Sequence, residues 1–505
     1  MKKFLAFFLV LMLALPALSL AEGEVLTSYV SDFTNGTDGW YARSAGTAAI
    51  ESTGDALKIT GRTASWNSPG RDFALQAGKK YLLSVQVLQS SEPSAEFMIS
   101  VAHSKDGVES YENLGRVKAN KGCWTAITCE YTPGPYDNYV LYVETVNHSE
   151  LDFSIRKFNA ELDAIYYDTS LPSLKEAYAN YFDLGVALNR TQLSDADRMA
   201  FCAQQFNIIT HENELKPDAV LDVAASRKLA AEDQTAVAIK FDSAKPLLDF
   251  CQKNGIKVHG HVLVWHSQTP EAFFHEDYKT SAPYVSREVM LGRMENYIRQ
   301  VFEYTEANYP GLIVSWDVVN EAVADGKAEL RESNWTKVIG QDFVNRAFEY
   351  ARKYAPADVK LYYNDYSTPY EPKLTGICNL LDSLIADGTI DGYGFQCHYS
   401  TTTPAPAQVR NAMKRIAAKG LCLRVSELDV GIKNTSETNL TAQAETYAEL
   451  FKIYLDYADQ MDAVQVWGLT DDRSWRGDEY PLLFNNKVQP KPAFYKVLEL
   501  LQPAK

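Results

Sequence analysis

Two glutamates stand where a pair of carboxyl groups could do chemistry. Glu321 closes the run Ser315-Trp316-Asp317-Val318-Val319-Asn320-Glu321, and Glu427 sits in Leu423-Arg424-Val425-Ser426-Glu427-Leu428-Asp429. Each follows a short run of β-branched and apolar residues, the pattern of a buried strand, and is expected at that strand's C-terminal end. Taken alone, a glutamate at a strand end is most often a solvated loop residue. Facing one substrate together, two carboxyls supply what cleavage of a glycosidic bond requires: a proton for the leaving oxygen, and a nucleophile or base at the sugar carbon. Two carboxyls held close cannot both ionise easily, so their pKa values are expected to split, leaving one acid protonated and one carboxylate charged at neutral pH. A different chemistry is offered by His259-Gly260-His261, because alternate histidines at a barrel strand end can hold zinc in a metal-dependent hydrolase. That scheme needs further histidines at later strand ends, and of the eight in the chain only His398 is so placed.

The elements that must position these groups can be read from the period of the apolar residues. From about Ser173 onward, buried-strand runs fall at Leu184–Leu188, Asn207–Thr210, Lys257–Trp265, Val314–Asn320, Lys360–Asn364, Gly392–His398, Leu421–Ser426 and Ala463–Leu469. Amphipathic stretches lie between them, at Asp242–Asn254, Ser286–Asn308, Asp342–Tyr354, Glu371–Asp387, Ala407–Lys419 and Thr441–Tyr457. Strand and helix in alternation imply a parallel sheet, and eight units imply closure into a (β/α)8 TIM barrel spanning 173–502. The active site of such a barrel lies at the C-terminal ends of its strands. The unusual polar residues collect there: Glu212 and Asn213, His261, Trp265 and His266, Asn320 and Glu321, Asn364 and Asp365, Gln396 and His398, Glu427 and Asp429, and Trp467 and Asp471. Residues 24–168 differ in texture. Short alternating runs such as Tyr81–Val87 and Tyr139–Glu144 are separated by Asn35-Gly36, Ala77-Gly78 and Pro133-Gly134-Pro135, which predicts an antiparallel, jelly-roll-like β-sandwich. The chain is therefore expected to be multidomain.

The bulk numbers bound the partners. A length of 505 residues suits two or three domains, and a net charge of −16 with no basic patch argues against nucleic acid or an anionic membrane surface. Thirty tyrosines supply ring faces on which sugars can stack. Met1-Lys2-Lys3, the apolar Phe4–Leu15 and the small residues of Ser19-Leu20-Ala21 read as a signal peptide over 1–21, so the mature protein is expected to be secreted, with no membrane association after cleavage. Seven cysteines, an odd number, imply at least one free thiol; Cys123 and Cys129 are too far apart along one strand to bridge unless it turns, and mostly buried thiols are expected. None has metal-ligand spacing, and neither metal nor cofactor is expected.

Taken in order, the barrel motifs resemble glycoside hydrolase family 10, the retaining endo-β-1,4-xylanases. The runs that carry the resemblance are Phe206–Pro217, Gly260-His261-Val262-Leu263-Val264-Trp265-His266-Ser267-Gln268, Trp316–Ala322, Gly394-Phe395-Gln396-Cys397-His398 and Ser426-Glu427-Leu428-Asp429. The resemblance implies that Glu321 is the general acid/base and Glu427 the nucleophile, with His398 and Asp429 orienting the nucleophile and keeping it ionised. It implies that Asn320 donates to the sugar 2-hydroxyl at the cleavage site and that Gln396 lies near the acid/base. Lys216, His261 and Trp265 would grip the sugar before the scissile bond, Glu212 and Asn213 the sugar before that, and Trp467 and Trp475 would wall the cleft. Gln268 and Trp475 would narrow it against the hydroxymethyl group of glucose. Val262, Leu215 and Ser426 replace residues common in the family (Thr, Met and Thr), and none removes a donor or charge the chemistry uses.

The sandwich half resembles carbohydrate-binding module family 22, through Gly39-Trp40-Tyr41-Ala42-Arg43, Gly61-Arg62-Thr63-Ala64-Ser65-Trp66 and Tyr142-Val143-Glu144. That implies a xylan-binding groove lined by Arg43, Trp66, Tyr111, Tyr142 and Glu144, against the alternative that Trp66 and Tyr142 are core residues of a spacer. The expected partners are xylan and xylo-oligosaccharides, and the expected state is a monomer. A β-1,4- or mixed-linkage glucanase with the same carboxylate pair stays open, as does a non-catalytic glycan binder, although a pure binder has no need of both glutamates.

Overall fold

Eight parallel strands close on themselves in the C-terminal half: β1 (Asp183–Leu188), β2 (Ile208–His211), β3 (Lys257–Trp265), β4 (Ile313–Asn320), β5 (Lys360–Asp365), β6 (Gly392–Phe395), β7 (Cys422–Gly431) and β8 (Met461–Val466). β8 pairs with β1 through Asp183↔Ala463 to Val186↔Val466, and β6 pairs with β7, which completes the ring. This computed structural model describes residues 26–501 except 27, 44–47, 164 and 166, and the chain divides into two compact units at Tyr166/Tyr167. Residues 1–21, expected from the sequence to be a signal peptide, lie outside the described residues.

The helices form where apolar residues recur on one face. Phe343–Tyr354 buries Phe343, Val344, Ala347, Phe348 and Ala351, one stripe of a 3.6-residue period, and leaves Arg346 and Glu349 paired on its outer side. Arg287–Asn308 starts where the Ser286 side chain accepts from the Val289 amide. Lys245–Asn254 begins three residues later than the pattern suggests, with proline in its first turn, and ends on Gly255 at φ +64°.

Inside the barrel a polar chain replaces an all-apolar core. Gln465 donates to Thr210 at 2.7 Å, Arg424 donates to Gln465 at 3.1 Å and to Ser315 at 3.0 Å, and Ser315 bonds His259 at 2.7 Å. Asp317 then accepts from His261 at 2.8 Å, and His259 Nε2 lies 3.0 Å from the same carboxylate oxygen. The two histidines of the zinc-like motif are thus tied to one buried aspartate.

Two strands depart from the sequence expectation in ways that matter. The sixth run does not continue to His398: β6 stops at Phe395, Cys397 adopts φ +61°, and His398–Ser400 resumes as a short strand paired with β7. The seventh run does not stop at Ser426. Because His398–Ser400 pairs with Asp429–Gly431, β7 extends through Glu427 and Asp429, so the nucleophile candidate sits within a strand rather than at its end.

The N-terminal unit is a pair of antiparallel sheets. One orders Ala49–Ser52, Leu57–Thr60, Phe153–Leu162, Tyr81–Leu88 and Thr125–Tyr131, with Ser28–Ser31 also on Phe153–Leu162. The other orders Tyr41–Arg43, Ser68–Asp72, Asn138–Thr145, Ser94–Lys105 and Val108–Asn120. Alternate residues of both face one core, in which Trp40 packs edge-on against Phe158 at 4.8 Å and Phe97 against Phe153 at 5.2 Å. All seven cysteines are free thiols; Cys202, Cys251, Cys378 and Cys397 are buried and Cys123 is exposed.

Candidate active site

The C-terminal ends of the barrel strands enclose a cleft of about 460 Å³ lined by Glu212, Asn213, Lys216, His261, Trp265, Gln268, Asn320, Glu321, Tyr366, Gln396, His398, Glu427, Trp467 and Trp475. The polar strand-end residues converge because a closed parallel barrel brings every strand's end to one rim.

Glu427, 5% exposed, receives two donors: Asn364 Nδ2 to Oε1 at 2.7 Å and His398 Nε2 to Oε2 at 3.1 Å. Burial raises its pKa, but the His398 hydrogen bond, the charges of His261 and His398 and the Asn364 bond outweigh it, so the carboxyl lies below its ordinary value. His398 carries its other proton to Asp429 at 2.8 Å. Burial alone would strip that imidazolium; the Asp429 charge and hydrogen bonds to both carboxylates raise it instead to about 10. Asp429 is held in turn by Trp475 Nε1 at 3.1 Å and by the Arg476 guanidinium.

Glu321 follows the last residue of β4 at φ +56°. Gln396 Nε2 donates to its Oε1 at 2.9 Å and Trp265 Nε1 to its Oε2 at 2.9 Å. The two glutamates are joined by a relay of side-chain amides. Asn364 Nδ2 and Gln396 Nε2 both donate to Asn320 Oδ1, at 3.0 and 3.1 Å. The Asn320 carbonyl is thereby saturated, which turns its NH2 into the donor available to a ligand.

On the far side of the cleft, Lys216 Nζ donates to Gln268 at 2.8 Å and Asn213 at 3.1 Å and lies 5.0 Å from the Trp265 ring. Burial lowers its pKa against the pull of Glu427 and Glu212. Glu212 accepts from Asn189 at 2.9 Å. Trp467 stands edge-on to His261 at 5.5 Å, and Trp475, 60% exposed, stands edge-on to His398 at 5.0 Å.

On the sandwich, the outer face of the sheet containing Tyr41–Arg43 gathers four of the five residues named from sequence. The Arg43 guanidinium lies 3.8 Å from the Tyr142 ring and 5.2 Å from Tyr111. Gly70 makes room, since a Cβ there would meet Arg43 and Val140 at 3.3 Å. Ser100 bonds Glu144 at 2.7 Å and Asn113 at 3.0 Å. Tyr142 is buried, but beneath Arg43 on the outer face rather than in the sandwich core; Tyr111 and Trp66 are exposed at 58% and 59%. Trp66 rides on the segment 61–67, which buried Arg62 pins through the carbonyls of Ser65, Asn67 and Leu151 at 2.6, 2.6 and 2.7 Å.

Residues 173–500 match the family model for glycosyl hydrolase family 10. The chain belongs to that family. Ahead of the family 10 domain, residues 27–149 match a carbohydrate binding domain. Endo-1,4-beta-xylanase B of Butyrivibrio fibrisolvens is 40% identical over 337 residues, covering 65% of this chain and 53% of that protein. Endo-1,4-beta-xylanase Y of Acetivibrio thermocellus is 34% identical over 464 residues, covering 85% of this chain and 42% of that one. The chain thus spans about half the length of these curated relatives. Among solved structures, the CBM22-1–GH10 modules of a Clostridium thermocellum endo-1,4-beta-D-xylanase, complexed with xylohexaose, align with TM-score 0.62 at 30% identity, over 94% of this chain and 97% of that one.

Three residues of the family 10 site escaped the sequence reading as site residues. Asn364 was visible at the end of β5 but carried no charge to mark it; in the fold it bonds both Glu427 and Asn320. Its position depends on Gly394, where a Cβ would lie 2.4 Å from the Asn364 oxygen. Tyr366, two residues on, lines the cleft, and Arg476 buttresses Asp429 next to Trp475.

Proposed function

We propose that this chain is an endo-β-1,4-xylanase that hydrolyses internal bonds of xylan with retention of configuration. The observation that carries the reading is the unequal environment of two carboxyls in one cleft. Glu427 is fed by two donors, one a cationic histidine, and suits a charged nucleophile. Glu321 also accepts two hydrogen bonds, from Gln396 and Trp265, but both donors are neutral, so no cation bonds its carboxylate and it takes the part of proton donor. Glu427 attacks the anomeric carbon while Glu321 protonates the departing oxygen, and the aglycone leaves. A glycosyl ester on Glu427 removes that negative charge, and the Glu321 carboxylate left after proton donation takes the proton from incoming water. Asn320, with its NH2 turned to the ligand, donates to the 2-hydroxyl as the transition state forms. The xylanase relatives and the xylohexaose-bound neighbour support xylan as the substrate. A proton NMR time course on unsubstituted xylan and on mixed-linkage β-glucan tests both parts. The first product should be the β-anomer, from xylan; α-anomer first refutes retention, and comparable cleavage of β-glucan moves the reading to a glucanase.

We also propose that the sandwich face of Arg43, Tyr111, Tyr142 and Glu144, together with Trp66 on the segment 61–67, binds xylan by ring stacking and a few hydrogen bonds. In the full-length protein, Tyr111→Ala should weaken binding to soluble xylan roughly 10-fold, about 1.4 kcal/mol, in affinity electrophoresis with hydrolysis blocked. Unchanged migration would favour a spacer. Export through residues 1–21 is likewise a proposal, checked by the N-terminal sequence of protein recovered from the medium.

A further inference from the structure

Glu321 sits in the left-handed region that non-glycine residues enter only when the surroundings enforce it. The backbone on both sides is tied down. Its own amide donates to the Asn364 carbonyl at 2.9 Å, and its carbonyl accepts from Arg331 Nε at 3.3 Å. The next two amides, Ala322 and Val323, both donate to a single atom, the Tyr363 hydroxyl oxygen, at 3.0 and 3.1 Å. Successive amides that converge after a left-handed residue form a concave nest, which favours an electron-rich oxygen.

A phenol has two lone pairs to offer and one proton to give. With both lone pairs engaged by backbone, the Tyr363 proton goes to Asp365 Oδ2. The other Asp365 oxygen lies 2.8 Å from Lys373 Nζ and accepts the Tyr366 amide at 2.9 Å. Lys373 also reaches Asp325 at 3.1 Å. Burial first, and the Asp365 charge second, push the Tyr363 phenol well above its ordinary value, so its proton stays in place. Tyr363, Asp365 and Lys373 are at most 1% exposed and none of them lines the cleft. Satisfied core polar groups alone would not need to end their line of bonds on the two amides next to the strained glutamate.

We propose that Tyr363, backed by Asp365 and Lys373, is a positioning residue for Glu321: it locks the left-handed turn that aims this carboxyl at the scissile oxygen. The inference rests on the assignment of Glu321 as acid/base. Without the hydroxyl, two buried amides lose their acceptor, and the turn relaxes toward an ordinary φ that carries the carboxyl away from Gln396 and Trp265.

The test compares kcat/KM of full-length Tyr363→Phe on xylotetraose, whose leaving group needs a proton, and on 2,4-dinitrophenyl xylobioside, whose leaving group does not. The expected loss is about 30- to 100-fold on xylotetraose, in kcat rather than KM, and under about 3-fold on the dinitrophenyl substrate. Equal losses on both substrates, or no loss on either, would overturn the proposal. If Tyr363→Phe does not fold, Asp365→Asn serves, with the same bias expected at about 3- to 10-fold and the same overturning outcomes. Glu321→Ala runs alongside. If it lacks the leaving-group bias, the acid/base assignment falls and this inference with it; if it shows the bias and the Tyr363 variant does not, this inference alone fails.

Discussion

Glu427→Ala is expected to lower xylan hydrolysis on the order of 10⁴-fold or more, and added azide to restore turnover with an α-glycosyl azide as product. Removal of the side chain deletes the atom proposed to form the covalent bond, while Asn364 and His398, which now bond it, remain as donors around the space left behind. Azide is small enough for that space and is an anion facing a cationic histidine whose pKa is raised to about 10. It attacks from the side Glu427 occupied, so a single displacement inverts the anomeric carbon. A β-azide, or near-normal activity without azide, would refute Glu427 as nucleophile.

Glu321→Ala should behave differently in kind. Loss of the proton donor should cost about 10²- to 10⁴-fold in kcat/KM on xylan, whose leaving oxygen is basic, and little on a dinitrophenyl glycoside. In the proposed mechanism the second half-reaction also loses its base, so the glycosyl-enzyme should accumulate on the activated substrate, visible as a burst and a mass increment on the protein. Azide should then relieve the stalled step and give a β-glycosyl azide, because it attacks an intermediate that has already been inverted once. The two variants together assign the roles by opposite product configurations, which loss of activity alone does not. An α-azide from Glu321→Ala would show that the roles are exchanged.

Much of the site was legible in the chain because strands of a barrel are local objects. Four to eight apolar residues bounded by turns mark each one, and the polar residue that ends the run marks the rim; β3 coincides with the expected Lys257–Trp265 at both ends. The errors fall where pairing across the barrel overrides local pattern. Nothing in Gly392–His398 signals that Cys397 turns left-handed, yet that turn separates Gln396, which faces Glu321, from His398, which faces Glu427. Nothing after Ser426 signals that β7 continues, because its extension depends on the short strand that the same turn creates. Asn364 went unassigned for a related reason: an uncharged amide gains a role only from its neighbours, and those come from β4 and β7, 44 and 63 residues away. On the sandwich, alternation along Asn138–Thr145 separates core from outer face, but Tyr142 lies under a guanidinium that comes from a different strand.

The chain by itself determined the two textures, the eight strand–helix units, and which residue types stand at the strand ends, since these follow from apolar period, turn residues and length. Only the tertiary structure decided that Asn364 joins His398 on Glu427, that the Trp265 indole bonds Glu321, and that Glu321 sits in a strained turn braced by buried Tyr363. Hydrogen bonds reach about 3 Å, and whether two side chains come that close depends on barrel closure and register, which no short window of sequence encodes.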